Sequence, residues 1–269
     1  MTFYFILCYF AIGIFAGTMS GLLGIGGGIV VVPALAALFI HFNVMPAALF
    51  MKMAIGTSLA IMIVTLMSSI FAHHRRRAVN WPLVKRIFPF LTVGVLVGAV
   101  FVRFLPSNFL SHFFSLFLFV IGIQLLIKKG NKNVLEIIPE QIPNHYIWFF
   151  SFIIGILSSL LGAGGGTMWV PFFLWKKLAM REAVGTSVAC GIIAASIATI
   201  SFLISGLFIE QTIPWSTSYI YWPAFFGVSV MSVLFAPIGS SFANKLPNET
   251  LRRIFAIFML LVAIDMSFF

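Results

Sequence analysis

Residues 20–33 read SGLLGIGGGIVVVP, and residues 158–171 read SSLLGAGGGTMWVP. Ser20, Leu22, Leu23, Gly24, the triplet Gly26-Gly27-Gly28 and Pro33 coincide with Ser158, Leu160, Leu161, Gly162, Gly164-Gly165-Gly166 and Pro171. Agreement that dense marks an internal repeat, and a repeat constrains the whole architecture. It extends outward from the glycines. Ala54-Ile55-Gly56-Thr57-Ser58 returns as Ala183-Val184-Gly185-Thr186-Ser187, Trp81-Pro82 as Trp222-Pro223, and Gly98 to Pro106 as Gly239 to Pro247. The chain thus divides into two homologous halves, 1–127 and 145–269, joined by a polar linker at 128–144. The main length difference is an insertion in the second half near Glu210 to Ile220.

The composition says what kind of solvent these halves fold in. Of 269 residues, 61% are hydrophobic and 8% charged, against roughly 25% charged in an ordinary soluble domain. The first charged residue is Lys52, and uncharged runs follow at Met53 to His74, Ile87 to Val102, Phe104 to Ile127, Ala183 to Ile209 and Gln211 to Asn244. A helix of about 20 apolar residues crosses a bilayer. The chain is therefore expected to be an all-α, multi-pass membrane protein, which excludes a soluble enzyme, a disulfide scaffold and a nucleic-acid binder despite a formal charge of +10. Cys8 and Cys190 lie in apolar stretches without metal-type or disulfide-type spacing and read as packing residues. The first apolar run has no basic start and outlasts a signal-peptide core, so it is expected to be retained.

Each half repeats one order: two apolar segments around the glycine cluster, then three longer ones entered at Pro46, Trp81 and Pro106 in the first half. The second glycine pair, about residues 145–175, is too short for two comfortable crossings. It reads as a hairpin of short or broken helices meeting at a Gly-rich bend. Cytoplasmic loops are enriched in Lys and Arg. With the His73 to Arg86 loop placed inside, fourteen of the sixteen basic residues fall on the cytoplasmic side, all but Lys52 and Arg103. A returning hairpin plus three crossings is an odd count, so the two halves are expected to face opposite ways and form inverted repeats. That is a hallmark of secondary transporters, whose substrates bind near the midplane where broken helices meet.

The residues at such a site read as an anion seat. Non-helical backbone at membrane depth survives only where it lines a cavity or is buried in protein. The Gly26-Gly27-Gly28 and Gly164-Gly165-Gly166 bends allow positive φ, and their N–H groups with the following helix ends can form an anion nest. The hydroxyls of Thr57, Ser58, Thr186 and Ser187 can donate to oxyanions without adding charge. Against this stand close helix packing for the glycines and bonds to their own helix carbonyls for the hydroxyls. Lys52 and Arg181 sit at equivalent positions, four residues before Gly56 and Gly185, and are candidates for attracting anions at opposite entrances, with snorkelling to headgroups as the alternative. His73-His74-Arg75-Arg76-Arg77 reads as a positive-inside loop and not a metal site, His112 as a packed histidine or a proton shuttle, and Asp265 as interfacial. Neither glycine cluster is followed by the Lys-Ser or Lys-Thr of a nucleotide loop, and no cofactor or metal is expected.

At these motifs the sequence resembles the TauE/SafE family of sulfite exporters and related permeases, over nearly the whole chain. The resemblance rests on the repeated G-x-G-G-G…P hairpin and the repeated G-T-S helix start, with one departure at Thr167-Met168-Trp169, where the first half has Ile29-Val30-Val31. It implies transport of small sulfur-containing anions (sulfite, thiosulfate or organosulfonates) across the bacterial inner membrane. Carried onto this chain, the motif points to Gly26, Gly27, Gly28, Thr57 and Ser58 with Gly164, Gly165, Gly166, Thr186 and Ser187. The expected function is secondary transport or facilitated export by alternating access. The alternatives are import of thiosulfate, for which Cys190 would be a pore candidate, a permease for another small solute, and more remotely an intramembrane enzyme. The expected partners are a small anion and the lipid bilayer, with the oligomeric state open.

Overall fold

A computed structural model describes residues 2–23, 26–75, 77–127, 143–176, 178–207, 213–243 and 248–267. The linker expected at 128–144 lies outside the described residues except for its last two positions. Among the described residues ten helices follow in order: α1 Thr2–Leu23, α2 Gly28–His41, α3 Phe50–Arg75, α4 Trp81–Phe104, α5 Ser107–Ile127, α6 Asn144–Leu161, α7 Gly166–Trp175, α8 Met180–Gly206, α9 Trp222–Ala243 and α10 Asn248–Met266. The protein is an all-α membrane protein. Among the described residues α1, α3, α4, α5, α6 and α8 are long and apolar enough to cross a bilayer. The insertion in the second half supplies the one sheet-like feature described, a two-residue antiparallel pair in which Ser216 faces Tyr221 and Thr217 faces Ile220.

The arms of each glycine hairpin differ in length. The outgoing arms α2 and α7 have 14 and 10 residues, whereas the incoming arms α1 and α6 have 22 and 18, or about 33 and 27 Å at 1.5 Å per residue. The expectation of short segments therefore fits the outgoing arms only. The incoming ones run long because each lies along a full-length helix of the other half, α1 on α9 and α6 on α4. A hydrophobic driving force does not hold helices together in lipid, so close backbone approach and van der Waals packing must. A Cβ on Gly17 of α1 would stand 2.5 Å from the Ser232 carbonyl oxygen of α9, and one on Gly155 of α6 would stand 2.7 Å from the Leu91 carbonyl oxygen of α4.

The remaining contacts follow the same exchange. α3 packs on α8 and α5 on α10, like helix against like, while α4 meets α8 as α9 meets α3. Ser111 and Ser115 of α5 donate to the Met266 and Ala263 carbonyls of α10 at 3.0 and 2.6 Å. The largest buried side chains, including Trp169, Phe39, Phe50 and Phe173, sit within this interlock. Phe101, Ile200, Phe226 and Leu234 are exposed on its outside, where acyl chains are their solvent. α4 starts with Asn80 as N-cap, its side chain accepting from the Leu83 N–H, and with Pro82 in the first turn, a position that suits proline because that N–H would be unpaired anyway.

Candidate functional site

Both glycine bends adopt the left-handed conformation their sequence allows. Gly26 and Gly27 have φ of 78° and 77°, and their counterparts Gly164 and Gly165 have 59° and 72°. This region costs an L side chain roughly 1–2 kcal/mol. Gly27 and Gly165 are the N-caps of α2 and α7, and their carbonyls take the first bonds of those helices, from Val30 and Val31 and from Met168 and Trp169. A helix start leaves its first N–H groups without an intrahelical acceptor and carries the positive end of the dipole. Here those groups belong to Gly28 and Ile29 in one half and to Gly166 and Thr167 in the other.

The two bends touch. A Cβ on Gly28 would stand 2.6 Å from the Gly162 carbonyl oxygen and 2.9 Å from the Ala163 Cα, so the first hairpin abuts the second through bare backbone. Ser58 binds this crossing from α3, its hydroxyl donating to the Gly162 carbonyl at 3.1 Å. Ser187, its repeat counterpart, donates to Val184 of its own helix at 2.9 Å.

The Gly-Thr-Ser triplets also grip the opposite half. A Cβ on Gly56 would stand 2.5 Å from the Tyr219 carbonyl oxygen, and one on Gly185 would stand 2.2 Å from that of Ala78. Two residues on from those carbonyls, the Tyr221 N–H donates to the Thr57 hydroxyl and the Asn80 N–H to the Thr186 hydroxyl, both at 3.0 Å. Each triplet therefore clamps the segment entering the fourth helix of the other half. Accepting one bond leaves each threonine hydroxyl its proton to donate. Thr57, Ser58, Thr186 and Ser187 are all fully buried, so the crossing is closed to solvent.

The expected site residues thus separate. Gly28 and Ser58 meet the second bend at Gly162, Gly26 and Gly164 both face Met62, and Gly27 and Gly165 face the arms of their own hairpins. Thr57 and Thr186 act as clamps, and Ser187 bonds within its own helix. Lys52 lies apart, its ammonium donating at 2.9 Å to the Arg103 carbonyl in the last turn of α4, where a cation suits the helix dipole. Arg181 lies in the first turn of α8, but its side chain lies outside the described part. Glu182 beside it accepts from the Asn80 amide at 2.7 Å. A cavity lined by Arg77, Ala78, Val79, Ala179 and Glu182 opens next to this clamp. Trp169 is fully buried, stacked on Phe173 at 5.2 Å, and its ring nitrogen comes within 3.4 Å of a Cβ on Gly165. His112 sits on the exposed face of α5, bonded to the Asn108 carbonyl, and so away from the crossing. Cys190 is a buried free thiol.

Sequence reasoning missed Asn80 and Tyr221, whose backbone N–H groups take part in the clamps, and Met62, a buried α3 side chain that a Cβ on Gly26 would meet at 2.6 Å and one on Gly28 at 2.7 Å. The signal is present: both clamp residues directly precede the repeated Trp-Pro pair, and Met62 stands four residues after Ser58, where the second half has Gly191 four after Ser187.

Two repeated hairpins meeting at bare glycine backbone inside a multi-pass helical bundle fit the class of membrane transporters, in which broken helices meet at the binding site. The family described as sulfite exporter TauE/SafE matches residues 9–266, and the chain belongs to it. It is 33% identical over 269 residues, 98% of each chain, to a probable membrane transporter protein of Haemophilus influenzae. It is 27% identical to the probable membrane transporter protein YunE of Bacillus subtilis, over 96% of this chain and 95% of that one. The probable membrane transporter protein MJ0441 of Methanocaldococcus jannaschii is 28% identical, over 66% of this chain and 64% of its own. No solved structure matches.

Proposed function

We propose that this membrane transporter is a secondary transporter or facilitator that moves a small sulfur-containing oxyanion across the bacterial inner membrane by alternating access, in the export direction. The observation that carries the reading is the contact of two positive-φ glycine bends, each opening a helix toward the same crossing. Converging helix N-termini suit an anion, and the family description supports sulfur chemistry for it.

In this reading the halves 1–127 and 145–269 are inverted repeats with a cytoplasmic linker at 128–144. The exchange of partners, α1 with α9 and α6 with α4, is what a two-fold axis between them produces. Rocking one half on the other then opens the crossing to either side. The anion is held by N–H groups of Gly26 to Gly28 and Gly164 to Gly166, and by the hydroxyl protons of Thr57, Ser58, Thr186 and Ser187 as the clamps shift. Lys52 and Arg181 act at a distance by raising anion concentration at the two entrances. Export of an anion from a negative-inside cell is favourable by about 2.3 kcal/mol per charge per 100 mV, so no carboxylate relay or nucleotide is required.

Ligand-induced stabilisation tests the substrate class. A ligand that binds only the folded state at 100 times its Kd adds about 2.7 kcal/mol. Sulfite, thiosulfate or methanesulfonate is expected to raise the melting temperature of the detergent-solubilised protein, while chloride and acetate at equal ionic strength do not. Equal shifts for all five anions would remove the sulfur assignment.

A further inference from the structure

One break in the repeat falls at the crossing itself, and the proposed function does not explain it. Met62 lies one turn beyond Ser58 on the same stripe of α3, since residues four apart share a helix face. Its side chain reaches both bends at once. A Cβ on Gly26 would meet the Met62 Cε at 2.6 Å, one on Gly164 would meet it at 2.3 Å, and one on Gly28 would meet the sulfur at 2.7 Å. The methionine is 1% exposed. Its counterpart is Gly191, which has no side chain to offer and lies 3.0 Å, by its Cβ position, from the Gly164 carbonyl oxygen.

The asymmetry continues along the helix. Met62, Leu66 and Ile70 descend α3 toward the basic α3–α4 loop, whereas the matching positions of α8 are Gly191, Ala195 and Thr199. Met62 and Leu66 form with Val188 and Ala195 a small apolar cluster separate from the main core. Satellite clusters are common beside a main core, so what distinguishes this one is its place. It is a thin layer between α3 and α8, the two helices that carry the Gly-Thr-Ser clamps.

We propose that Met62, backed by Leu66 and Ile70, is the plug that closes the anion path on the side of the α3–α4 loop and sets the size of ion that passes. The plug presupposes the transport reading above. Methionine suits such a role because it is unbranched, with three rotatable bonds and a polarisable sulfur, and so vacates and refills a space at low cost. A β-branched residue in a helix is nearly locked at χ1 and could not. An anion entering the crossing displaces the thioether from the glycines, and the thioether returns when the anion leaves.

Two readouts test this, one of them independent of substrate. In a Cys8→Ala, Cys190→Ala background, Met62→Cys is treated with a membrane-impermeant thiol reagent in membranes of both orientations, with Leu91→Cys as the static-core control. The plug predicts labelling at Met62→Cys well above the control, and labelling no faster than at Leu91→Cys overturns it. In proteoliposomes, Met62→Gly is expected to raise benzenesulfonate flux relative to sulfite flux at least about tenfold, equivalent to about 1.4 kcal/mol, while Met62→Leu leaves the ratio unchanged. A folded Met62→Gly protein with the wild-type ratio also overturns the proposal. Strong labelling without flux of any sulfur anion upholds the plug and refutes the substrate instead.

Discussion

Replacing Gly28 by alanine probes the crossing with a single methyl group. The added carbon would lie 2.6 Å from the Gly162 carbonyl oxygen and 2.9 Å from the Ala163 Cα, where ordinary contact begins at 3.4 Å. The third neighbour, the Met62 sulfur at 2.7 Å, can rotate away, but these two are backbone and cannot, so the hairpins must part by about 0.8 Å, the difference between 2.6 and 3.4 Å. Overpacking of this kind costs about 1–3 kcal/mol. Gly27→Ala is the matched control. Its nearest neighbour is an Ala16 carbonyl oxygen at 3.4 Å, so space is sufficient, but φ is 77°, and its cost of about 1–2 kcal/mol is purely conformational. The two variants therefore lose similar stability for different reasons. Only Gly28→Ala separates the bends, and only it is expected to abolish ligand-induced stabilisation. Melting curves in detergent, with and without thiosulfate, distinguish them. Full stability and full ligand response in Gly28→Ala would refute the claim that bare backbone contact between the hairpins forms the site.

Thr57→Ala and Thr186→Ala should each cost about 1–3 kcal/mol, because each leaves a backbone N–H, of Tyr221 or Asn80, without its acceptor. Serine at either position should restore most of the loss in chemical denaturation, and valine should not. Lys52→Met removes the donor to the Arg103 carbonyl and is expected to destabilise by about 1–2 kcal/mol. If Lys52 also draws anions toward the outer entrance, the variant raises the apparent KM in low salt, and the difference shrinks as salt screens the field. An unchanged KM at low salt would restrict Lys52 to capping α4.

Much of the architecture is legible in the sequence because it is written twice. The hairpins, their Gly-rich bends and the helices after them follow from a repeat plus the length a bilayer demands. Which helix packs on which is not legible. In lipid that choice is made by small residues such as Gly17 and Gly155, and nothing near them in sequence names Ser232 or Leu91 as their neighbours. The Gly-Thr-Ser triplets stand out by repetition, but their most direct geometric role, gripping the segment before the opposite fourth helix, depends on contacts more than a hundred residues apart. The incoming arms are longer than a broken helix suggests, because their length answers to the partner helix and not to the bend. Met62 is hidden by its chemistry. A methionine in an apolar helix carries no signal alone, and only alignment of the halves sets it against Gly191.

The central claim is that a small sulfur oxyanion crosses the membrane through the point where the two glycine bends meet. Efflux of radiolabelled sulfite, thiosulfate and sulfoacetate from proteoliposomes, with the interior held negative by a potassium gradient, measures it directly. The account predicts saturable flux of at least one of these ions that accelerates with the imposed potential and is lost in Gly28→Ala. Absence of flux for all three, or flux undiminished in that variant, would contradict it.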